Sequence, residues 1–263
     1  DPRDTTTPLA MLQTMRKLCS DNGSVLIDIM TRAKATGVTT SLDMAQPDPE
    51  SPAGRADWQH ILREVLPHVD LFLPSIEEML MFLDRPAFLA KRAEARQRHC
   101  PVLELIAPED YTRLSDMLLA YGAGIVALKS GPRGIYVRTG SAERLRRFGR
   151  APVGDTAAWA NREIWSPAFH VERVASATGS GDSAIAGFLA AFVHGENIEH
   201  TLMTAIMTGT QNVMVYDAVS GIKSYTETVA TRTTWPRDPL SISAPGWRYD
   251  HAAQLWHGPR DGV

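Results

Sequence analysis

The alternation of short β-branched or apolar segments with longer amphipathic ones most narrows the folds open to this chain. Val25, Leu26, Ile29, Met30 and Ala33 recur at helical spacing and Gly37 supplies a stop, so a helix is predicted from Val25 to Ala35. "VTTSLD" then reads as a strand closing on Asp43, and Trp58 to Leu66 returns to helical periodicity. "VDLFLP" is a second strand ended by Pro74. "SIEEMLMFL" opens a helix with Ser75 as N-cap and Glu78 in the capping-box position.

Further helices are predicted at Pro86 to Arg98 and around Glu109 to Tyr121, and "GIVALKSGPRGIYVRT" reads as a hairpin. Gly140 to Pro167 reads as a long surface excursion with short strands, and "FHVERV" as a strand. Helices follow at Ser183 to Val193 and Ile198 to Val215, with a short one near "HAAQLW". Strands alternating with helices predict an α/β layered fold, a mainly parallel sheet flanked by helices. Residues 1–222 are expected to form its main part, with 223–263 a tail packed on the same domain.

Composition narrows function by exclusion. A formal charge of -3 over 263 residues of mixed sign offers neither a basic stripe for nucleic acid nor an acidic tail, which favours a small-molecule partner. Cys19 and Cys100 have no CxxC or ligand-like spacing, which points to reduced thiols and a cytoplasmic setting. No apolar run reaches the roughly 18 residues that span a bilayer. The chain opens on Asp1 and enters an amphipathic pattern without a first strand, so it is expected to begin inside a domain.

In α/β sheets, ligands sit beyond the carboxyl ends of strands, so Asp43, Ser75 to Glu78, Lys129 to Gly134 and Gly179 to Asp182 are the places to inspect. The last carries the most information. "TGSGDSAIAGFLAAF" sets glycines and an aspartate before an apolar helical run, and a helix N-terminus offers unpaired amides to an anion. An aspartate there stays comfortably ionised and can accept a proton from a hydroxyl attacking phosphorus. The loop is not a Walker A motif, since no GxxxxGK[ST] is present. A plain turn with Asp182 as a helix cap explains the same residues.

"ATGSGDSAIAGFLAAF" resembles the signature D-T-x-G-A-G-D of the ribokinase or PfkB family of sugar and nucleoside kinases. "DLFLPSIEEML" resembles that family's N-x-x-E segment, "LKSGPRGIYV" its nucleotide turn and "NVMVYDAVSGI" its late helix, all in the family's order. The resemblance implies ATP-dependent phosphorylation of a sugar or related hydroxyl acceptor. It implies Asp182 as catalytic base and Gly179, Ser180 and Gly181 as anion hole. Lys129, Gly131 and Gly134 would lie along the triphosphate, and Thr210 near the adenine. Glu78, with Ser75 in place of the usual asparagine, would act through water on Mg2+. Ser176 and Ala177 depart from the family's Asp-Thr pair, which leaves a monovalent cation uncertain.

The family's N-terminal sugar-binding half has no counterpart in this sequence, so the chain is expected to be inactive alone and prone to self-association or dimerisation through an open sheet edge. Two other readings compete. One is a kinase-derived protein that binds nucleotide without transferring phosphate. The other takes Gly181-Asp182-Ser183 as the block of a GDSL-type hydrolase with Ser183 as nucleophile, although Asp57 to His60, its only Asp-x-x-His, lies upstream instead of downstream.

Overall fold

The computed structural model describes residues 21–262; Cys19 and the opening at Asp1 lie outside them. In chain order the elements are α1 (Ser24–Ala35), β1 (Ser41–Leu42), α2 (Trp58–Val65), β2 (Leu71–Phe72), α3 (Ile76–Leu83), α4 (Arg85–Arg98), α5 (Pro108–Ala120), β3 (Ile125–Lys129) and β4 (Ile135–Thr139). After them come α6 (Ala142–Leu145), α7 (Thr156–Trp159), β5 (Glu163–Ser166), α8 (Ser180–Val193), α9 (Ile198–Val213), α10 (Tyr225–Arg232), β6 (Arg248–Asp250) and β7 (Leu255–His257).

The strands form one seven-stranded sheet in the order β1-β2-β3-β4-β5-β7-β6. Side chains alternate across it. Val126, Leu128, Tyr136 and Trp165 pack on one face with Ile61, Leu80 and Leu114 from α2, α3 and α5. Ile125, Ala127, Val137 and Ile164 pack on the other with Phe188, Phe192 and Leu202 from α8 and α9. Helices thus cover both faces of an α/β sheet, as the alternating pattern predicts.

The sheet is mixed, a correction to the mainly parallel expectation. β1, β2 and β3 run parallel, whereas every pairing from β3 onward is antiparallel. The cause is local: helices connect β1 to β2 and β2 to β3, while a tight turn joins β3 to β4 and so reverses direction. Residues 140–167 are likewise more than a surface excursion, because β5 lies in the sheet interior with Ile164 and Trp165 fully buried. Its Glu163 hides the strand pattern. That carboxylate is buried because Oε1 accepts from Thr112 and Tyr136, each at 2.7 Å, and Oε2 accepts from the Arg260 amide at 2.8 Å.

Two further expectations give way. "FHVERV" is a loop in which only Phe169 makes a bridge, to Arg237. "HAAQLW" is a turn and strand, not a helix: Oδ1 of Asp250 accepts from the amides of Ala252 and Ala253, which turns the chain and delivers β7 alongside β5. The tail from residue 223 therefore adds α10 and two strands to the same sheet.

Candidate functional site

Three parallel strand ends meet at one edge. The Lys129 amide donates to the Pro74 carbonyl at 2.9 Å, and Ser75 bridges to Lys129. Beyond the backbone, Nζ of Lys129 donates to Oδ1 of Asp43 at 2.7 Å and to the Leu73 carbonyl. One ammonium thereby ties together the ends of β1, β2 and β3.

Helix α8 begins above this knot. Gly179 holds a left-handed conformation (φ 78°) at the N-cap and offers no side chain to cap the helix. Ser180 turns back locally, its amide and hydroxyl both donating to the Ala177 carbonyl at 3.2 and 2.9 Å. The amides of Gly181 and Asp182 belong to the first turn and have no intrahelical acceptor. A Cβ at Gly181 would lie 3.4 Å from Cε of Lys129, so the helix start rests directly on the lysine stem. Asp182 stands exposed in that first turn.

Glycines on the facing surfaces bring α8 and α9 together. A Cβ at Gly187 would lie 2.4 Å from Oγ1 of Thr208, and one at Gly209 would lie 3.2 Å from the Ser180 carbonyl oxygen. This close approach sets Thr210 and Gly209 of α9 beside Ser180 and Gly181 of α8.

Together these elements wall a cleft of about 470 Å³, lined by Lys129, Gly131, Gly134, Ser180, Gly181 and Thr210 along with Phe169, Val171, Val174 and Val213. One part is therefore amide- and ammonium-lined and the rest is apolar. Gly131 (φ 48°) leaves the approach open, since a Cβ there would meet only Cδ2 of Leu103 at 3.9 Å. Gly134 differs: its φ is 85°, and a Cβ would lie 2.0 Å from the Ser166 carbonyl oxygen, so β5 dictates that glycine.

Ser75 and Glu78 form the predicted capping box. The Ser75 amide donates to Oε2 of Glu78 at 2.7 Å, and Oγ of Ser75 accepts from the Glu78 amide at 3.3 Å. Burial pushes the Glu78 carboxyl above its ordinary value, opposed by the Ser75 amide and the Lys129 charge. Neither residue lines the cleft, and neither does Asp182, which flanks it. Among the described residues, no group of three or more His, Cys, Asp or Glu side chains converges as a metal cage.

The structure thus brings Ser180, Gly181, Lys129, Gly131, Gly134 and Thr210 to one cleft, sets Gly179 behind it as the helix cap, and leaves Ser75 and Glu78 at the neighbouring strand end. Sequence reasoning missed the apolar wall of Phe169, Val171 and Val174, because a loop with alternating apolar residues reads as a strand. It also gave Asp43 no role, although Asp43 closes a strand as Lys129 does. The hydrolase alternative fails on access: Ser183 is only 5% exposed, and Asp57 caps α2 by accepting from the His60 amide. No helix among the described residues is long and apolar enough to cross a membrane.

The family described as pfkB family carbohydrate kinase matches residues 10–223. The fold is similar to Arabidopsis thaliana ribokinase complexed with ribose and ATP, at 19% identity and a TM-score of 0.52, over 80% of this chain and 52% of that one. It is also similar to a putative ribokinase II from E. coli in complex with ATP and Mg2+, at 20% identity and a TM-score of 0.52, over 78% and 51%. Aminoimidazole riboside kinase from Salmonella enterica, complexed with aminoimidazole riboside and an ATP analog, matches at 12% identity and a TM-score of 0.51, over 80% and 57%. The chain thus spans about half the length of these structures. No curated protein matches it. The ribokinase-like sheet, the helix start after Gly179 and the family match over residues 10–223 agree: this chain belongs to the pfkB family of carbohydrate kinases.

Proposed function

We propose that this chain carries the nucleotide-binding and phosphoryl-transfer machinery of an ATP-dependent kinase acting on a hydroxyl of a sugar or nucleoside. The observation that carries the reading is an uncapped helix start, with Asp182 in its first turn, resting on Lys129 beside a half-apolar cleft. Unpaired amides and an ammonium suit a polyphosphate, and the apolar wall suits a nucleobase. Mg2+ would be carried on the phosphates and on water, with Glu78 acting on it through water.

ATP with Mg2+, when bound, supplies the transferable phosphoryl group and the metal's charge. The chain's own residues do the rest. The amides of Gly181 and Asp182 would supply hydrogen bonds to the phosphoryl oxygens, and Gly131 leaves room for an approach to the backbone. Asp182, exposed in the first turn of α8, takes the proton from the attacking hydroxyl. Thr210 and the Phe169 to Val174 loop position the base.

The test is ADP release coupled to a reporter, over a panel of sugars and nucleosides, with ATP binding measured alongside, on a chain that also carries the family's N-terminal sugar-binding half, since this chain alone is expected to turn over little. Asp182→Asn should keep ATP binding and lose about 10²-fold or more in turnover, the scale of a missing general base. Wild-type turnover in that variant would remove Asp182 as the base. ATP binding with no acceptor-dependent ADP release would replace transfer by the binding-only reading.

A further inference from the structure

Lys129 faces the cleft, yet its ammonium is already engaged. Its Nζ donates to Oδ1 of Asp43 at 2.7 Å and to the Leu73 carbonyl, and the two side chains are 15% and 28% exposed. The lysine stem passes beneath Gly181, with Cε 3.4 Å from where a Cβ on that residue would stand. Lys129 and Gly181 therefore border the same cleft, with Asp182 flanking it. Asp43 sets an anion where a lysine and a helix N-terminus converge, and Glu78 lies close enough for its charge to be felt with both Lys129 and Asp43.

An entering phosphate brings a competing anion into that volume. Asp43 and the phosphate cannot both hold one ammonium without repelling each other at a few ångströms. Resting on the nucleotide reading above, we propose that Asp43 is an internal stand-in for phosphate. It holds Lys129 while the cleft is empty and yields it when a polyphosphate seats at the amides of Gly181 and Asp182. The Leu73 carbonyl accepts from the same Nζ, so the ammonium has a second partner at the strand end and gives up only Asp43 in the exchange. Asp43 is then a positioning residue that works against nucleotide affinity, because only molecules with Lys129 released bind at full strength.

Titration calorimetry with MgATP and with inorganic tripolyphosphate tests this on the 263-residue chain. Asp43→Asn should tighten both ligands by about tenfold, the factor by which a paired resting state lowers apparent affinity when it dominates ten to one. Lys129→Met should weaken both, and adding Asp43→Asn to it should give little gain. A merely structural pair predicts the opposite sign: loss of Asp43 loosens the strand ends and weakens binding. Unchanged or weaker binding by a folded Asp43→Asn variant overturns the exchange, as does an equal gain with and without Lys129. If Asp43→Asn does not fold, the wild type decides through the Nζ resonance of Lys129, which moves on adding tripolyphosphate if the pair opens and stays if it does not. Failure of every folded variant to bind either ligand overturns the nucleotide reading itself, whereas ATP binding by the wild type with no gain in Asp43→Asn overturns only the exchange.

Discussion

Replacing Gly187 by alanine tests whether the close approach of α8 to α9 holds the helix start over the strand ends. A Cβ at Gly187 would lie 2.4 Å from Oγ1 of Thr208, 2.9 Å from Cβ of Thr208 and 2.9 Å from the Thr204 carbonyl oxygen. The hydroxyl cannot swing away without giving up its 2.8 Å bond to that carbonyl, and the carbonyl is helix backbone. Ordinary contact distances begin near 3.5 Å, so the helices must part by roughly 0.5–1 Å. Overpacking of this kind costs about 1–3 kcal/mol, against which alanine returns about 1 kcal/mol of helix propensity.

A net loss of up to about 2 kcal/mol lowers Tm by up to roughly 8 °C in a chain of this size. Because Gly181 and Asp182 ride on the displaced helix, turnover should also fall, by about tenfold. Thermal melts followed by circular dichroism, with the ADP-release assay, read both effects. Adding Thr208→Ala removes the hydroxyl and the γ-methyl and should restore part of each. A Gly187→Ala protein that melts at or above the wild type with unchanged turnover would refute the packing account.

Glu78 gives a pH-dependent outcome. Burial raises its folded pKa above the ordinary 4.5, so its contribution to stability is full below that value and is lost as pH rises through the folded pKa. Glu78→Gln keeps an oxygen for the Ser75 amide without the buried charge; it should melt higher than the wild type at pH 8, equal it at pH 4, and turn over less with Mg2+, and an equal gap at both pH values would contradict this. Glu163→Gln should lower stability by about 2–4 kcal/mol, since both carboxylate oxygens accept buried bonds and an amide nitrogen can accept none. A denaturation midpoint within error of the wild type would show that network to be dispensable.

What was legible in the sequence follows from how local its causes are. Helix α3 could be placed because Ser75 and Glu78 signal its start and Asp84 lies just past its apolar run. The β3–β4 hairpin could be placed because Gly131 and Gly134 bracket a turn between two apolar runs. Strand β5 could not: Glu163 argues for a surface position until Thr112, Tyr136 and Arg260, each at least 27 residues away, supply its hydrogen bonds. The tail's β7 was hidden for a similar reason, its neighbour being Ile164 and Trp165 of a strand itself concealed.

The same division runs through the site. Its amide-lined end could be placed because unpaired amides, a left-handed glycine cap and an aspartate in the first turn are properties of one short stretch, Gly179 to Asp182. Its apolar end could not, since Phe169, Val171 and Val174 become a wall only when β5 and α9 fix the loop between β5 and α8. Lys129 shows both sides at once. Its position after an apolar run marks a strand end facing a ligand crevice, yet the charge it meets there comes from Asp43, 86 residues earlier. A strand-end lysine read alone invites assignment to a phosphate, whereas its partner shows an ammonium already paired. Under the proposed exchange the separation between those readings is an affinity difference, and the pair exists only because parallel pairing places the ends of β1, β2 and β3 side by side.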